Sequence, residues 1–164
     1  MKPWPVFSSS RLDAEEPNPH SGSLVMTTDR IAVDIKVPNQ TRYLRLIGHI
    51  GENIAHTLRN YSGDREKLAY DLNLVLTEAM ANAILHANEG NPAKEVHIEI
   101  SIVKKNLFIK VFDFGQGFDI EQYIKPSHPL DDHGRGIYLI HTIMDETTYR
   151  QTETGHVLEM RKAL

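Results

Sequence analysis

The chain has 164 residues, enough for one domain with a sizeable core, and its 40% hydrophobic and 24% charged residues are ordinary for a soluble globular protein. A formal net charge of -4 leaves no global basic surface for nucleic acid, and the lack of cysteine excludes disulfides, thiolate metal sites and cysteine nucleophiles. No apolar run is long enough to span a bilayer and the N-terminus lacks the charged-then-apolar pattern of a signal peptide, so no membrane association and a cytoplasmic location are expected.

Residues 1–28 are rich in Ser, Pro and acidic side chains without periodicity and read as a flexible tail, which leaves 29–164 as the folded domain. "RIAVDIKVP" alternates, with Ile31, Val33, Ile35 and Val37 on one side, and predicts a half-buried strand ended by Pro38. Leu44, Ile47, Ile50, Ile54 and Leu58 then recur at helical spacing. Asn39 or Thr41 is the candidate cap, and Gly48 and Gly51 weaken the pattern. A longer helix is expected over 62–88. Ser62 or Asp64 caps it, Leu68, Leu72, Val75, Leu76, Ala79, Ala83 and Ile84 form its apolar side, and "GNP" stops it.

"EVHIEISIVKKNLFIKVFD" predicts a hairpin turning at "KKN", with Val96, Ile98, Ile100 and Ile102 facing the same way as Leu107, Ile109 and Val111. The stretch from Phe114 to about His133 has no clear period and exceeds an ordinary connection, which marks it as a lid or a disordered segment. "GRGIYLIHTIMDE" reads as a short helix with Ile137, Ile140, His141 and Met144 on one side. The last eighteen residues read as a hairpin turning at "ETG". Strands joined by tight turns, together with amphipathic helices, predict an α+β two-layer sandwich. Its sheet is mostly antiparallel, with the helices on one face.

Three stretches carry candidate chemistry. In "KVFDFGQGFD" Asp113 continues the inward phase of Leu107, Ile109 and Val111, where a carboxylate can accept from an amino group. Gly115 and Gly117 would let backbone approach a flat ring, and Phe118 would supply an apolar wall. The Asp-Phe-Gly spelling also occurs in eukaryote-type protein kinases. That reading fails here: no G-x-G-x-x-G loop, V-A-I-K lysine or H-R-D loop precedes it, and the chain is too short for two lobes. On the long helix Glu78, Asn82 and His86 stand four apart, on one face beside the apolar side, with Asn a poor helix former in mid-helix. In "HGRGIYLI", Gly134, Arg135 and Gly136 open a helix whose free N–H groups suit an anion. Each stretch alone also has a bland reading: a glycine-rich turn, a solvated stripe, a simple helix entry.

In this order, "EAMAN", "DFGQGF" and "GRGI" resemble the N box and the two glycine boxes of the GHKL superfamily, which includes gyrase, a major heat-shock chaperone, histidine kinases and MutL. The resemblance spans about residues 30–164. Within the superfamily "LTEAMANAILHAN", "GRGIYLIHTIMDE" and "TGHVLEMRK" are most similar to the anti-sigma factor serine/threonine-protein kinases of the RsbW and SpoIIAB type.

That resemblance implies the Bergerat ATP-binding fold with ATP and Mg²⁺ as cofactors. It also implies Glu78 as general base, Asn82 as the magnesium ligand and Asp113 as the reader of the adenine amine. Gly115, Gly117, Phe118, Gly134, Arg135 and Gly136 would be binding residues, and His86 either a phosphate contact or an orienting group. The implied activity is that of an ATP-binding anti-sigma factor that phosphorylates a STAS-domain anti-anti-sigma protein. Its partners would be a sigma factor, that STAS protein and a second copy of the chain. Two alternatives stay open: a catalytically silent ATP-binding switch, and a detached histidine-kinase-type ATP-binding domain. The sequence shows no acceptor-histidine helix pair, which disfavours the second.

Overall fold

The computed structural model describes residues 31–115, 117 and 135–164. Five strands form one sheet: β1 (Ile31–Pro38), β2 (Glu95–Val103), β3 (Asn106–Asp113), β4 (Glu146–Gln151) and β5 (His156–Ala163). Their order across the sheet is β1-β2-β3-β5-β4, and every pairing is antiparallel. Three α-helices, α1 (Leu44–Thr57), α2 (Arg65–Asn82) and α3 (Arg135–Ile143), pack with one face of this sheet. This is the expected two-layer α+β sandwich. The tail expected at 1–28 and the loop expected between the two glycine-rich stretches lie outside the described residues. No helix among the described residues is long and apolar enough to cross a membrane.

The central hairpin follows from period-two alternation. Ile98 and Ile109 are fully buried, and β2 and β3 alternate such residues with more exposed ones on the other face, whereas β5 is buried without a break from Val157 to Met160. Each fully buried Leu or Ile contributes about 1.5–3 kcal/mol relative to exposure, and the layer between sheet and helices holds such residues from both sides, Leu72 and Leu76 as well as Ile98 and Ile109. The β2–β3 turn is where the sequence put it. Lys104 (φ 49°) and Lys105 (φ 61°) both adopt the left-handed region, which matches the twist of the flanking strands.

α2 starts as read, with the Asp64 side chain accepting from the Lys67 N–H at 3.0 Å, a cap worth about 1 kcal/mol. The start of α1 differs from expectation. Thr41–Tyr43 form a 3₁₀ turn before it, and no side chain caps either element. Asn39 is buried and spends its carboxamide on Asn88 and on the Asn91 carbonyl instead. Gly48 and Gly51 turn out to be packing residues. A Cβ on Gly51 would lie 2.8 Å from Leu76 Cδ1 and 2.9 Å from the Leu72 carbonyl oxygen, so the glycine is what lets α1 lie close on α2. On α3, Ile137, Ile140 and Met144 are buried as expected, but His141 is exposed. Ile143 packs against the core in its place, because the helix packs chiefly against α2 along the 137–140–144 row.

Candidate functional site

The site is built where α2 ends beside the end of β3. After Asn82 the helix widens into a π turn, Ala83–Ala87, closed by the Asn88 N–H donating to the Ala83 carbonyl at 2.8 Å. π turns of this kind are rare and concentrate at functional sites. Asn88 is fully buried and holds the corner together. Its Nδ2 donates to Asn39 Oδ1 (3.1 Å) and to the Glu95 carbonyl (3.4 Å), and its Oδ1 accepts from the Phe114 N–H (3.0 Å). One carboxamide thus joins the helix end to the end of β1, the start of β2 and the exit from β3. The sequence reading placed Asn88 at the end of the long helix and gave it no role. A buried Asn can be recognised only through its distant partners.

Gly115 sits directly on this corner. A Cβ there would overlap the Ala87 carbonyl, so the first glycine-rich stretch lies flush against the π turn. Asp113 just before it is 4% exposed and is clamped on both oxygens: Oδ1 accepts from the Gly115 N–H (3.0 Å) and Oδ2 from the Tyr149 hydroxyl (2.9 Å). Burial, reinforced by this bond to Asp113, pushes the Tyr149 hydroxyl far above the usual phenol range, so it is a permanent donor.

His156 is directly opposite Asp113 in the β3–β5 register. Its ring stacks on Tyr149, with centroids 5.1 Å apart at 10°. Its other side meets Gly117 (φ 76°), where a Cβ would strike the imidazole. Gly117 thus lies against one of the protein's own rings. Tyr149 and His156 were not foreseen. Tyr149 sits on the short polar strand β4 and His156 is the first residue of β5, and only the pairing of β5 with β3 and with β4 brings them to Asp113.

α3 closes the other side. A Cβ on Gly136 would lie 2.5 Å from Glu78 Oε2 and 3.5 Å from Asn82 Nδ2, so the first turn of α3 lies directly on the Glu78–Asn82 row of α2. Glu78 is half-buried. The Asn82 Nδ2 is buried without a hydrogen-bond partner, an expensive state for an amide unless a ligand group completes it. Arg135 is exposed at the start of α3. His86 is exposed on the π turn, and no hydrogen bond joins it to Glu78 or Asn82. Phe118 and Gly134 lie outside the described residues. The arrangement brings together a half-buried carboxylate, an unsatisfied carboxamide, a helix start and a clamped second carboxylate. Such a set can grip a molecule with an anionic end and an amine-bearing end.

A single antiparallel sheet with helices on one face, holding such a site between two helices and a strand end, defines an α+β domain of the ATPase and kinase class. The chain belongs to the histidine kinase-like ATPase domain family, whose model matches residues 37–162. Similar proteins include the serine-protein kinase RsbW of Bacillus subtilis, 31% identical over 141 residues that cover 80% of this chain and 85% of that protein. The serine-protein kinase RsbW of Bacillus licheniformis is 32% identical over 142 residues, with the same coverage. That of Listeria monocytogenes serotype 4b is 28% identical over 130 residues, covering 74% of this chain and 80% of its own.

Proposed function

We propose that the protein is an ATP-binding anti-sigma factor with serine/threonine protein kinase activity, which phosphorylates a STAS-domain anti-anti-sigma protein. The observation that carries this reading is the packing of Gly136 on the Glu78–Asn82 row, which sets a carboxylate and an unsatisfied carboxamide at a helix start. A carboxylate beside a triphosphate is repulsive and a poor choice for binding alone. It makes sense where a proton must leave an attacking hydroxyl. The kinase names of the relatives support the same reading.

The residues fit Mg²⁺–ATP. Asn82 would hold the ion through its carboxamide oxygen, a suitable ligand for a hard cation that keeps several waters. The metal supplies neutralisation of phosphate charge. Asp113 retains lone pairs beyond its two clamping bonds and accepts the adenine amine. Arg135 and the start of α3 face the phosphates. Glu78 takes the proton of the substrate serine or threonine hydroxyl as its oxygen bonds to the γ-phosphorus, the bond to the β-phosphate oxygen breaks, and ADP leaves. The sigma factor is held in the opposing regulatory state, by a homodimer of this chain in the cytoplasm.

Replacing Asp113 by Asn should weaken ADP binding by about 1.5–3 kcal/mol, the worth of one hydrogen bond to a charged group. Calorimetry showing unchanged affinity in a folded variant would remove Asp113 as the base reader. The function itself is tested by incubating the protein with γ-labelled ATP, Mg²⁺ and STAS proteins encoded in the same genome. Label on a serine or threonine of one of them is the expected result. ATP binding without transfer to any of them would mean a silent switch.

A further inference from the structure

Four buried side-chain polar atoms among the described residues have no hydrogen-bond partner: Arg65 Nε, Asn82 Nδ2, Thr147 Oγ1 and His156 Nδ1. Asn82 has a role in the function proposed above. His156 Nδ1 stands at the other end of the same site, 3.9 Å from Asp113 Oδ1, too far for a direct bond. The ring cannot turn to find another partner, because Tyr149 stacks on it and Gly117 lies against it. A carboxylate at this distance favours the proton on Nδ1, which makes that atom a donor next to the Asp113 acceptor.

We propose that His156 is a specificity-determining residue of the nucleotide site, donating from Nδ1 to the ring nitrogen beside the amine that Asp113 accepts. This rests on the reading of Asp113 as the base-binding carboxylate. The amine-bearing edge of adenine presents a donor next to an acceptor, the amine and the adjacent ring nitrogen. The pair formed by Asp113 and His156 presents an acceptor next to a donor, the complementary order. At 3.9 Å apart the two protein atoms can send bonds that converge onto neighbouring atoms of one base, or one of the bonds can pass through a water about 2.8 Å from each atom. Hypoxanthine presents the reverse order, a carbonyl acceptor next to a ring N–H. It sets an oxygen against the Asp113 carboxylate and a donor against the His156 donor. Tyr149 is a positioning residue in this scheme: its hydroxyl fixes Asp113 and its ring fixes His156.

The test is calorimetric binding of ADP and of IDP to the full-length protein and to His156→Leu and His156→Asn. Leu fills the ring's space without a polar atom, and Asn keeps an N–H donor near the position of Nδ1. In His156→Leu, ADP should bind about fivefold to tenfold more weakly, the worth of one neutral hydrogen bond, with IDP affinity unchanged or improved. His156→Asn should restore most of the ADP preference. A folded His156→Leu protein with the wild-type ratio of ADP to IDP affinity, or an Asn variant no better than Leu, would overturn the proposal. If His156→Leu does not fold, ¹⁵N NMR of the wild-type imidazoles decides. ADP must move the His156 Nδ1 resonance and leave that of His97, on the outer face of the sheet, in place; no movement overturns the proposal. A wild-type protein that binds ADP and IDP equally refutes the base-reading pair. One that binds neither refutes the nucleotide-site reading beneath it.

Discussion

Glu78→Gln should lower phosphate transfer to the STAS substrate by about 10²–10⁴-fold, the usual contribution of a positioned general base. ADP affinity should stay close to that of wild type. The substitution is informative because of the space available. Glu78 Oε2 lies against Gly136, 2.5 Å from where a Cβ would stand, so a substitution that keeps the side chain's shape leaves this contact with α3 in place. Gln preserves the shape and removes only the basic site. Single-turnover transfer rates, with binding measured separately, keep a chemical defect distinct from slow product release. Equal transfer rates for the two proteins would remove Glu78 as the base. Parallel losses of transfer and of ADP binding would assign it to the binding of nucleotide.

Gly115→Ala should damage stability and binding together. The new methyl would overlap backbone, the carbonyl of Ala87, and not the tip of a flexible side chain that could swing aside. Ala87 cannot retreat easily, because the neighbouring Asn88 is bonded to Asn39, Glu95 and Phe114. Overpacking of this kind costs about 1–3 kcal/mol. For a chain of this size each kcal/mol lowers Tm by roughly 2–4 °C. Parting the strand end from the π turn would also withdraw the Gly115 N–H from Asp113, so ADP binding should fall by more than the stability loss alone explains. A variant with wild-type melting and wild-type ADP affinity would show that the Ala87 contact yields without consequence.

The hairpin of β2 and β3 was legible because its information is local. Period-two alternation from Val96 to Val111 fixes which side is buried, and Asp113 in the same phase had to face inward, as its 4% exposure bears out. The three helices and the antiparallel sheet followed from the same kind of pattern. The start of α1 was misread because Asn39 has the chemistry of a cap and also of a buried anchor. Local sequence does not say which use its carboxamide finds. His141 was misassigned because 3.6-residue spacing admits both flanks of a helical stripe, and only the elements it packs against, α2 above all, select one.

By itself the sequence determined the order of the main elements, the inward face of β1, β2 and β3, and the three stretches that resemble a nucleotide-binding family. Those depend on the order and spacing of residues near one another in the chain. The tertiary structure alone decided that α2 loosens into a π turn at Ala83–Ala87, that Asn88 bolts this turn to β3, and that Gly136 rests on Glu78 and Asn82. It also decided that Tyr149 and His156 flank Asp113. The reason is the strand order β1-β2-β3-β5-β4: the last strand inserts beside β3 and carries His156 to within 3.9 Å of a carboxylate 43 positions earlier in the chain. Residues so far apart share no periodicity, and only the closing of the sheet makes them neighbours.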